Sequence, residues 1–228
     1  MAKRISALHA GSSAIVALGL LTACSSGAQD SESRTSTAAT MPSSATFMAD
    51  VTEPSGETMT MAVTVSGANV VAYATNGTND EAYFIGKQEG GHMDLMSMYG
   101  DRLQASLNDG ALTGEMTTNA PRVAPVTFRA SSVAGPAGIY TATHDAARMT
   151  WVVRPDHTMT GVMDNSAPGN HKVSDAAQAR SQAFLDGVRQ MRLARQIHQA
   201  PQMAYGTWSM QMGGTMMKAV RVTGDMTL

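Results

Sequence analysis

Cysteine is almost absent from this sequence, which has one, Cys24, among 228 residues. A single cysteine cannot form an internal disulfide, so the fold depends on its core alone. Aromatic residues make up 5% of the chain and charged residues 15%, with a formal net charge of −2. This composition lacks the excess of Lys and Arg that nucleic-acid binding requires. Nucleic acid is therefore excluded as a predicted partner.

The motifs of common catalytic classes are also missing. The sequence contains no Gly-x-Ser-x-Gly elbow, no His-Glu-x-x-His pair and no phosphate-binding loop. Two adjacent pairs, His144 with Asp145 and Asp156 with His157, are predicted to be solvated turn residues, because neighbours on a strand point to opposite faces. We therefore predict a protein that is not an enzyme and needs no cofactor.

The apolar run near the N-terminus is too short to span a membrane. Lys3 and Arg4 precede an apolar segment that reaches Leu21, is interrupted by serines and ends in small residues. A membrane-spanning helix needs about 20 predominantly apolar residues. The order of basic start, apolar run and small residues is typical of a secretory signal. Residues 1–23 are predicted to be a signal peptide that is removed.

The end of this segment, Leu21-Thr22-Ala23-Cys24, resembles the lipobox of bacterial lipoproteins. The resemblance implies that the Cys24 thiol receives diacylglycerol and fatty acid such as palmitate, and that cleavage makes Cys24 the first mature residue. It also implies attachment to the cell membrane on its extracytoplasmic side, with membrane lipid as the partner of Cys24. Two or more acyl chains give stable attachment, whereas one holds reversibly. The alternatives are an ordinary signal peptide with a stray cysteine, or a soluble protein with an apolar start.

A polar tether and a single β-rich domain are predicted after the anchor. Residues 24–57 comprise the lipidated cysteine and a segment rich in Ser and Thr, whose composition is typical of disorder. Residues 58–228 alternate apolar and polar positions in short runs bounded by turn residues. We predict a mostly β fold, an antiparallel sandwich or barrel-like meander with one amphipathic helix near the C-terminus. The following side chains are predicted to point inward: Leu95, Leu103, Ala105, Leu107 and Leu112.

The helix is predicted over about 174–198, with Ser174 as its N-cap and an apolar stripe that includes Phe184 and Val188. Its arginines predict either a solvated outer face or a surface for anionic headgroups. Two or three strands are expected after the helix, with a hairpin turn at Gly213 and Gly214.

Two sequence patterns in the body resemble uncharacterised secreted and lipid-anchored proteins of mycobacteria and related actinobacteria. The patterns are "VAY...G...EAY..G" and "GPAGIY.A...W.V.PD..M.GV", within a stretch from Val70 to Asn165. They consist of turn and core residues, so the resemblance implies fold and origin and assigns no catalytic residue.

Methionine is unusually frequent, with 19 residues. Met fills irregular apolar space well, and this explains most of them. Thioether and imidazole groups also bind Cu(I), and an indole can cap a soft cation. Period-two spacing yields two candidate metal-ligand sets: His92, Met96 and Met98, and Trp208, Met210 and Met212.

Two functions follow as hypotheses. The first is a non-catalytic binding or structural module of the cell envelope, with a lipid, glycolipid or other envelope component held in a groove between sheet and helix. The alternative is a copper-binding envelope lipoprotein that uses the methionine-rich strands.

Overall fold

Eight antiparallel strands form a closed barrel in the computed structural model, which describes residues 40–166 and 182–226. Each strand pairs with its neighbours in sequence, and β1 closes the barrel by pairing with β8. The prediction of a mostly β, barrel-like meander is confirmed. The barrel strands are β1 (Ser44–Thr52), β2 (Thr58–Ser66), β3 (Asn69–Thr75), β4 (Glu81–Glu89), β5 (His92–Met96), β6 (Arg102–Asn108), β7 (Ala111–Thr117) and β8 (Val126–Val133).

The predicted boundary between tether and domain at residue 57 is wrong. β1 occupies Ser44–Thr52 and pairs along its whole length with β2. Phe47 and Val51 on this strand are each 1% exposed and belong to the barrel core. Composition pointed to a tether because Ser, Thr and Ala dominate the segment, but the alternation of apolar side chains provides the buried face of a strand.

Side chains fill the inside of the barrel. All five residues predicted to point inward lie in or against this core, with Leu107 only partly buried at its edge. Phe47, Phe84 and Phe128 supply large apolar surfaces, and Met59 and Met61 fill space between them. The barrel is therefore held together by a packed interior.

Two glycines allow the barrel strands to coil tightly. A Cβ atom at Gly114 on β7 would lie 2.0 Å from the backbone oxygen of Gln104 on β6. At Gly86 on β4, a Cβ would lie 2.7 Å from a methyl group of Leu95. Since any side chain at Gly114 meets backbone, this position sets how closely β6 and β7 can approach.

A second, five-stranded sheet packs beside the barrel in the order β12-β11-β10-β9-β15. Trp151 and Val153 share its buried face, and the Trp151 indole packs where Gly161 on the neighbouring strand has no side chain. A separate hairpin, β13-β14, covers this face and turns at Gly213 and Gly214, as predicted. The strands are β9 (Gly138–His144), β10 (Ala147–Val153), β11 (Met159–Asp164), β12 (Ile197–Gln199), β13 (Ser209–Met212), β14 (Thr215–Lys218) and β15 (Val220–Arg221).

One helix, α1 (Gln182–Leu193), lies in the described part of the chain. The predicted C-terminal end near residue 198 is wrong, because Ile197–Gln199 forms β12 and pairs with β11. Ser174, the predicted N-cap, lies outside the described residues. Val188 is buried, whereas Leu193 is 74% exposed. Within residues 40–166 and 182–226, no helix has the length and apolarity needed to cross a bilayer.

A turn at Asn76 and Gly77 joins β3 to β4. The Asn76 side-chain oxygen accepts hydrogen bonds from the backbone N–H groups of Thr78, Asn79 and Asp80. Its amide nitrogen donates to Glu57 and to Asn79. This side chain is therefore used to organise the turn.

Candidate functional site

An open polar groove crosses the outer surface of the barrel and has a volume of about 820 Å³. Its polar side chains come from β4 to β8, and register places them in adjacent rows. His92, Ser106 and Thr113 align across three strands, and the next row aligns Asp94, Gln104, Glu115 and Thr127. The groove is lined by Glu89, His92, Met93, Asp94, Gln104, Ala105, Ser106, Thr113, Gly114, Glu115 and Thr127.

Two interactions fix side chains within these rows. Nδ1 of His92 lies 2.8 Å from the Ser106 hydroxyl. Arg102 donates from Nε at 2.8 Å and from Nη2 at 2.5 Å to the two oxygens of Asp94. This bidentate hydrogen bonding raises the pKa of Arg102 above its usual value. The groove thus offers imidazole, hydroxyl, amide and carboxylate groups, with one carboxylate already paired.

His92 and Met96 do not converge as the first predicted metal-ligand set requires. Both lie on β5, but four residues apart, which is about 13 Å along a strand. The Arg102 and Asp94 ion pair lies on the same face between them. Met98 lies beyond the strand in the turn to β6 and is 36% exposed. The structure therefore separates this set, and His92 belongs to the polar groove instead.

The three residues of the second predicted set lie in one apolar cluster, although Trp208 and Met212 are four residues apart in the chain. Trp208, Met210 and Met212 all belong to the apolar cluster between the five-stranded sheet and the β13-β14 hairpin. Trp208 stacks on Tyr140 with ring centroids 4.4 Å apart. The cluster is unusually rich in thioethers, which come from Met149, Met159, Met163, Met203, Met210, Met212 and Met217.

A buried group of charges joins the barrel to the second sheet, and sequence reasoning missed it. Glu81, at the start of β4, is almost completely buried. It accepts hydrogen bonds from Tyr73 at 2.9 Å, from Arg148 at 2.5 Å and from Arg195. Arg195 also donates to Asp164 at 2.7 Å. Two carboxylates and two guanidinium groups therefore balance each other, with Glu81 and Arg195 buried and Arg148, 34% exposed, completing the group from the surface.

A second buried group attaches α1 to the end of the barrel. Arg192 donates at 2.5 Å to Asp101, which is 0% exposed, and at 2.7 Å to Asp80. Arg189 donates at 2.9 Å to the side-chain oxygen of Asn119, whose amide nitrogen donates to the backbone oxygen of Leu185. The contact between helix and barrel, where a ligand groove was predicted, is thus occupied by paired polar groups.

The predicted roles of the helix arginines are therefore wrong for Arg192 and Arg195. The side chain of Arg192 is 13% exposed and that of Arg195 is 4% exposed, so neither forms a solvated face or a surface for headgroups. Spacing on a helix could not show this, because the partner carboxylates lie far away in the sequence. The available signal was the density of acidic residues in "NDEAY" and "YGD", at turns between strands.

Burial and neighbouring charges shift the pKa values of these groups in opposite directions. Burial raises the pKa of Asp80, and the neighbouring Arg192 reduces that rise. Burial would also raise the pKa of Asp164, but hydrogen bonds from Ser166 and Arg195 outweigh it and lower the pKa overall. Burial alone would lower the pKa of Arg195, whereas the charge of Glu81 raises it. The carboxylate partners of Arg192 and Arg195 therefore offset the cost of burying their charges.

No family model, no curated protein and no solved structure matches this chain.

Proposed function

We propose that this protein is a non-catalytic, lipid-anchored binding protein of the bacterial cell envelope, and that the polar groove on the barrel binds the sugar portion of a glycolipid or glycan. The side chains that line the groove support the choice of a sugar as the ligand. The proposed location at the cell membrane rests on the resemblance of Leu21-Thr22-Ala23-Cys24 to a lipobox.

The chemistry of the lining favours a polar, uncharged ligand. Hydroxyl groups of a sugar both donate and accept hydrogen bonds, which matches Gln104, Ser106 and Thr113. Glu89 and Glu115 can accept from such hydroxyls, but they repel phosphate and other anions. The volume of about 820 Å³ lies within the range of about 300 to 1,000 Å³ that small-molecule sites occupy. An acyl chain finds little here, because the apolar interior of the barrel is already filled.

The position of β1 is compatible with a domain held close to the membrane. Between Cys24 and Ser44 lie 19 residues, so the reach from the proposed anchor to β1 is at most about 68 Å at full extension. This reach is shorter than that of a tether that extends from the anchor to residue 57. β1 starts at the same end of the barrel as the β4-β5 turn, which is next to His92. Because His92 lines the groove, the groove lies towards the end of the barrel at which the proposed tether enters.

Binding can be tested by NMR on the full chain with Cys24→Ser, titrated with neutral mannose and arabinose oligosaccharides. We expect chemical-shift changes centred on His92, Ser106 and Glu115, because these groups line the groove. Gln104→Ala should weaken binding by at least about threefold, since one lost hydrogen bond costs about 1 kcal/mol.

Gln211→Ala is the matched control, because Gln211 is an exposed amide on the separate hairpin. Saturation with shifts confined to residues outside the groove, or no shift with any of these sugars, would overturn the assignment of a glycan. A response only to a basic peptide would replace the sugar with a cationic ligand at the same carboxylates.

A further inference from the structure

We propose that the protein binds Cu(I) beneath the β13-β14 hairpin, through Nε2 of His144 and the thioethers of Met210, Met212 and Met217. This site lies on the second sheet, separate from the polar groove. Its test therefore succeeds or fails independently of the proposed glycan binding.

The hairpin places three thioethers on one face. Met210 is directly opposite Met217, and Met212 lies two residues from Met210 on the same strand and therefore on the same face. All three belong to the apolar cluster under the hairpin. Directly opposed side chains have Cβ atoms about 4.5 to 5.5 Å apart, and diagonal neighbours remain within reach of a long side chain. The three sulfur atoms can therefore approach one ion.

The other face of the same hairpin is exposed and provides the comparison. Gln211, Met216 and Lys218 alternate with the three thioethers, and Met216 is 68% exposed. The hairpin thus carries methionines in two different environments on two short strands.

His144 supplies a nitrogen at the tip of this hairpin. It ends β9 on the same face as Tyr140 and Ala142, which line the cluster. A Cβ atom on Gly213, in the hairpin turn, would lie 3.7 Å from Nε2 of His144. The imidazole is 27% exposed, so it is not the solvated turn residue that its sequence position suggested. The topology therefore brings an imidazole next to the thioether face, although about 70 residues separate them in sequence.

These ligands select a soft, singly charged metal. Thioether and imidazole groups suit Cu(I), whereas Ca²⁺ and Mg²⁺ require oxygen ligands. Within the described ranges, no group of three or more His, Cys, Asp and Glu side chains is placed to hold a metal ion. The Asp145 carboxylate lies 3.6 Å from Nε2 of His144 and is 90% exposed, so it can offset part of the charge of a bound cation.

The competing explanation is that methionine only fills space in this cluster. Leucine has nearly the same volume but no sulfur, so exchange of Met for Leu separates the two explanations. If sulfur holds a metal, Met212→Leu and Met217→Leu weaken binding while the fold is retained.

The experiment is a competition for Cu(I) between the full chain and a chromogenic Cu(I) chelator, without oxygen and with ascorbate as reductant. All variants carry Cys24→Ser, so that the free thiol of an unacylated chain cannot bind the metal. We expect one Cu(I) per chain. Changes around metal ligands typically cost about 10- to 100-fold in affinity, so Met212→Leu, Met217→Leu and His144→Gln should each weaken binding at least about tenfold. Met216→Leu, on the exposed face, should leave the affinity unchanged.

A second measurement needs no variant with altered packing. The methionine methyl groups, labelled with carbon-13, report directly on sulfur coordination when Ag(I), a soft ion of the same charge, is added. The methyl signals of Met210, Met212 and Met217 should shift, and that of Met216 should not. No stoichiometric Cu(I), equal affinities in all variants, or a shift confined to exposed methionines would each overturn the proposal.

Discussion

At the scale of single residues, the most consequential side chains are those that carry a charge inside the protein. Glu81 lies between the guanidinium groups of Arg148 and Arg195, and its second oxygen accepts a hydrogen bond from Tyr73. Glu81 and Arg195 lose almost all their water on folding and regain hydrogen bonds from this group and from Asp164. A buried group of this kind costs little while it is complete and much when one member is removed.

Replacement of Arg195 by methionine tests this argument. Arg195→Met leaves Glu81 and Asp164 with a single nearby guanidinium, so we expect the free energy of unfolding to fall by about 3 to 5 kcal/mol. The control is Arg102→Met, because Arg102 forms a bidentate ion pair with Asp94 on the surface, where its side chain is 40% exposed. A surface pair contributes about 0 to 1 kcal/mol. Urea denaturation measures both, and equal losses would contradict the argument.

Arg195→Met should also change how the stability of the protein depends on pH. The pKa of Asp164 is lower in the folded protein than its usual value. Its contribution to stability is therefore present above the unfolded pKa and is lost as pH falls through the folded pKa. Because Arg195 helps to lower that pKa, Arg195→Met should lose less stability than the unaltered protein when both are acidified below about pH 4.

At the scale of elements, the turns could be predicted and the ends of segments could not. Asn76-Gly77 and Gly213-Gly214 specify tight turns through local chemistry, and both are turns in the structure. β1 is missed because its polar residues match a tether, while its apolar face is buried only once β2 and β8 pair with its edges and close the barrel around the core. The helix was extended over residues 194–198 because apolar spacing alone does not show that β11 pairs with Ile197.

Two glycine substitutions with opposite expected effects on stability test the packing of individual strands and of the helix. Gly114→Ala places a methyl group against the backbone of β6, which cannot move without breaking strand pairing, so we expect a loss of stability of about 1 to 3 kcal/mol or more. Gly187→Ala meets no atom within 4 Å in the middle of α1. It should stabilise the protein by about 0.5 to 1 kcal/mol. Thermal unfolding followed by circular dichroism measures both, and a harmless Gly114→Ala would refute the close approach of the strands.

At the scale of the whole molecule, the sequence predicted a barrel-like meander and did not predict how its parts are joined. Period-two alternation identifies strands one at a time, and short turns force neighbouring strands to pair. The contact between barrel and second sheet depends on Glu81, Arg148 and Arg195, which no local pattern brings together. The polar groove was missed for the same reason, because its rows exist only after β5 to β8 are in register.

The proposed lipid anchor is also tested at the scale of the whole molecule. Cys24→Ala removes the only thiol that can be acylated. In a bacterium that processes lipoproteins, we expect this variant to leave the membrane fraction almost completely, because no acyl chain then holds it. Ser25→Ala, which keeps the thiol, should remain with the membrane. Fractionation and immunoblotting measure both, and an unchanged distribution of Cys24→Ala would contradict the lipoprotein proposal.

Closure of the barrel by β1 and β8 has a consequence for the order of folding. Thr46 pairs with Val133, so the first barrel strand to be synthesised cannot complete its pairing until the last one has been synthesised. Contacts between such distant residues form late, since a long loop must be closed first. Until then one edge of β1 has unpaired backbone groups that another chain can bind. The nascent protein is therefore most vulnerable to aggregation before Val133 has been synthesised, and slow synthesis of β2 to β8 should increase that risk.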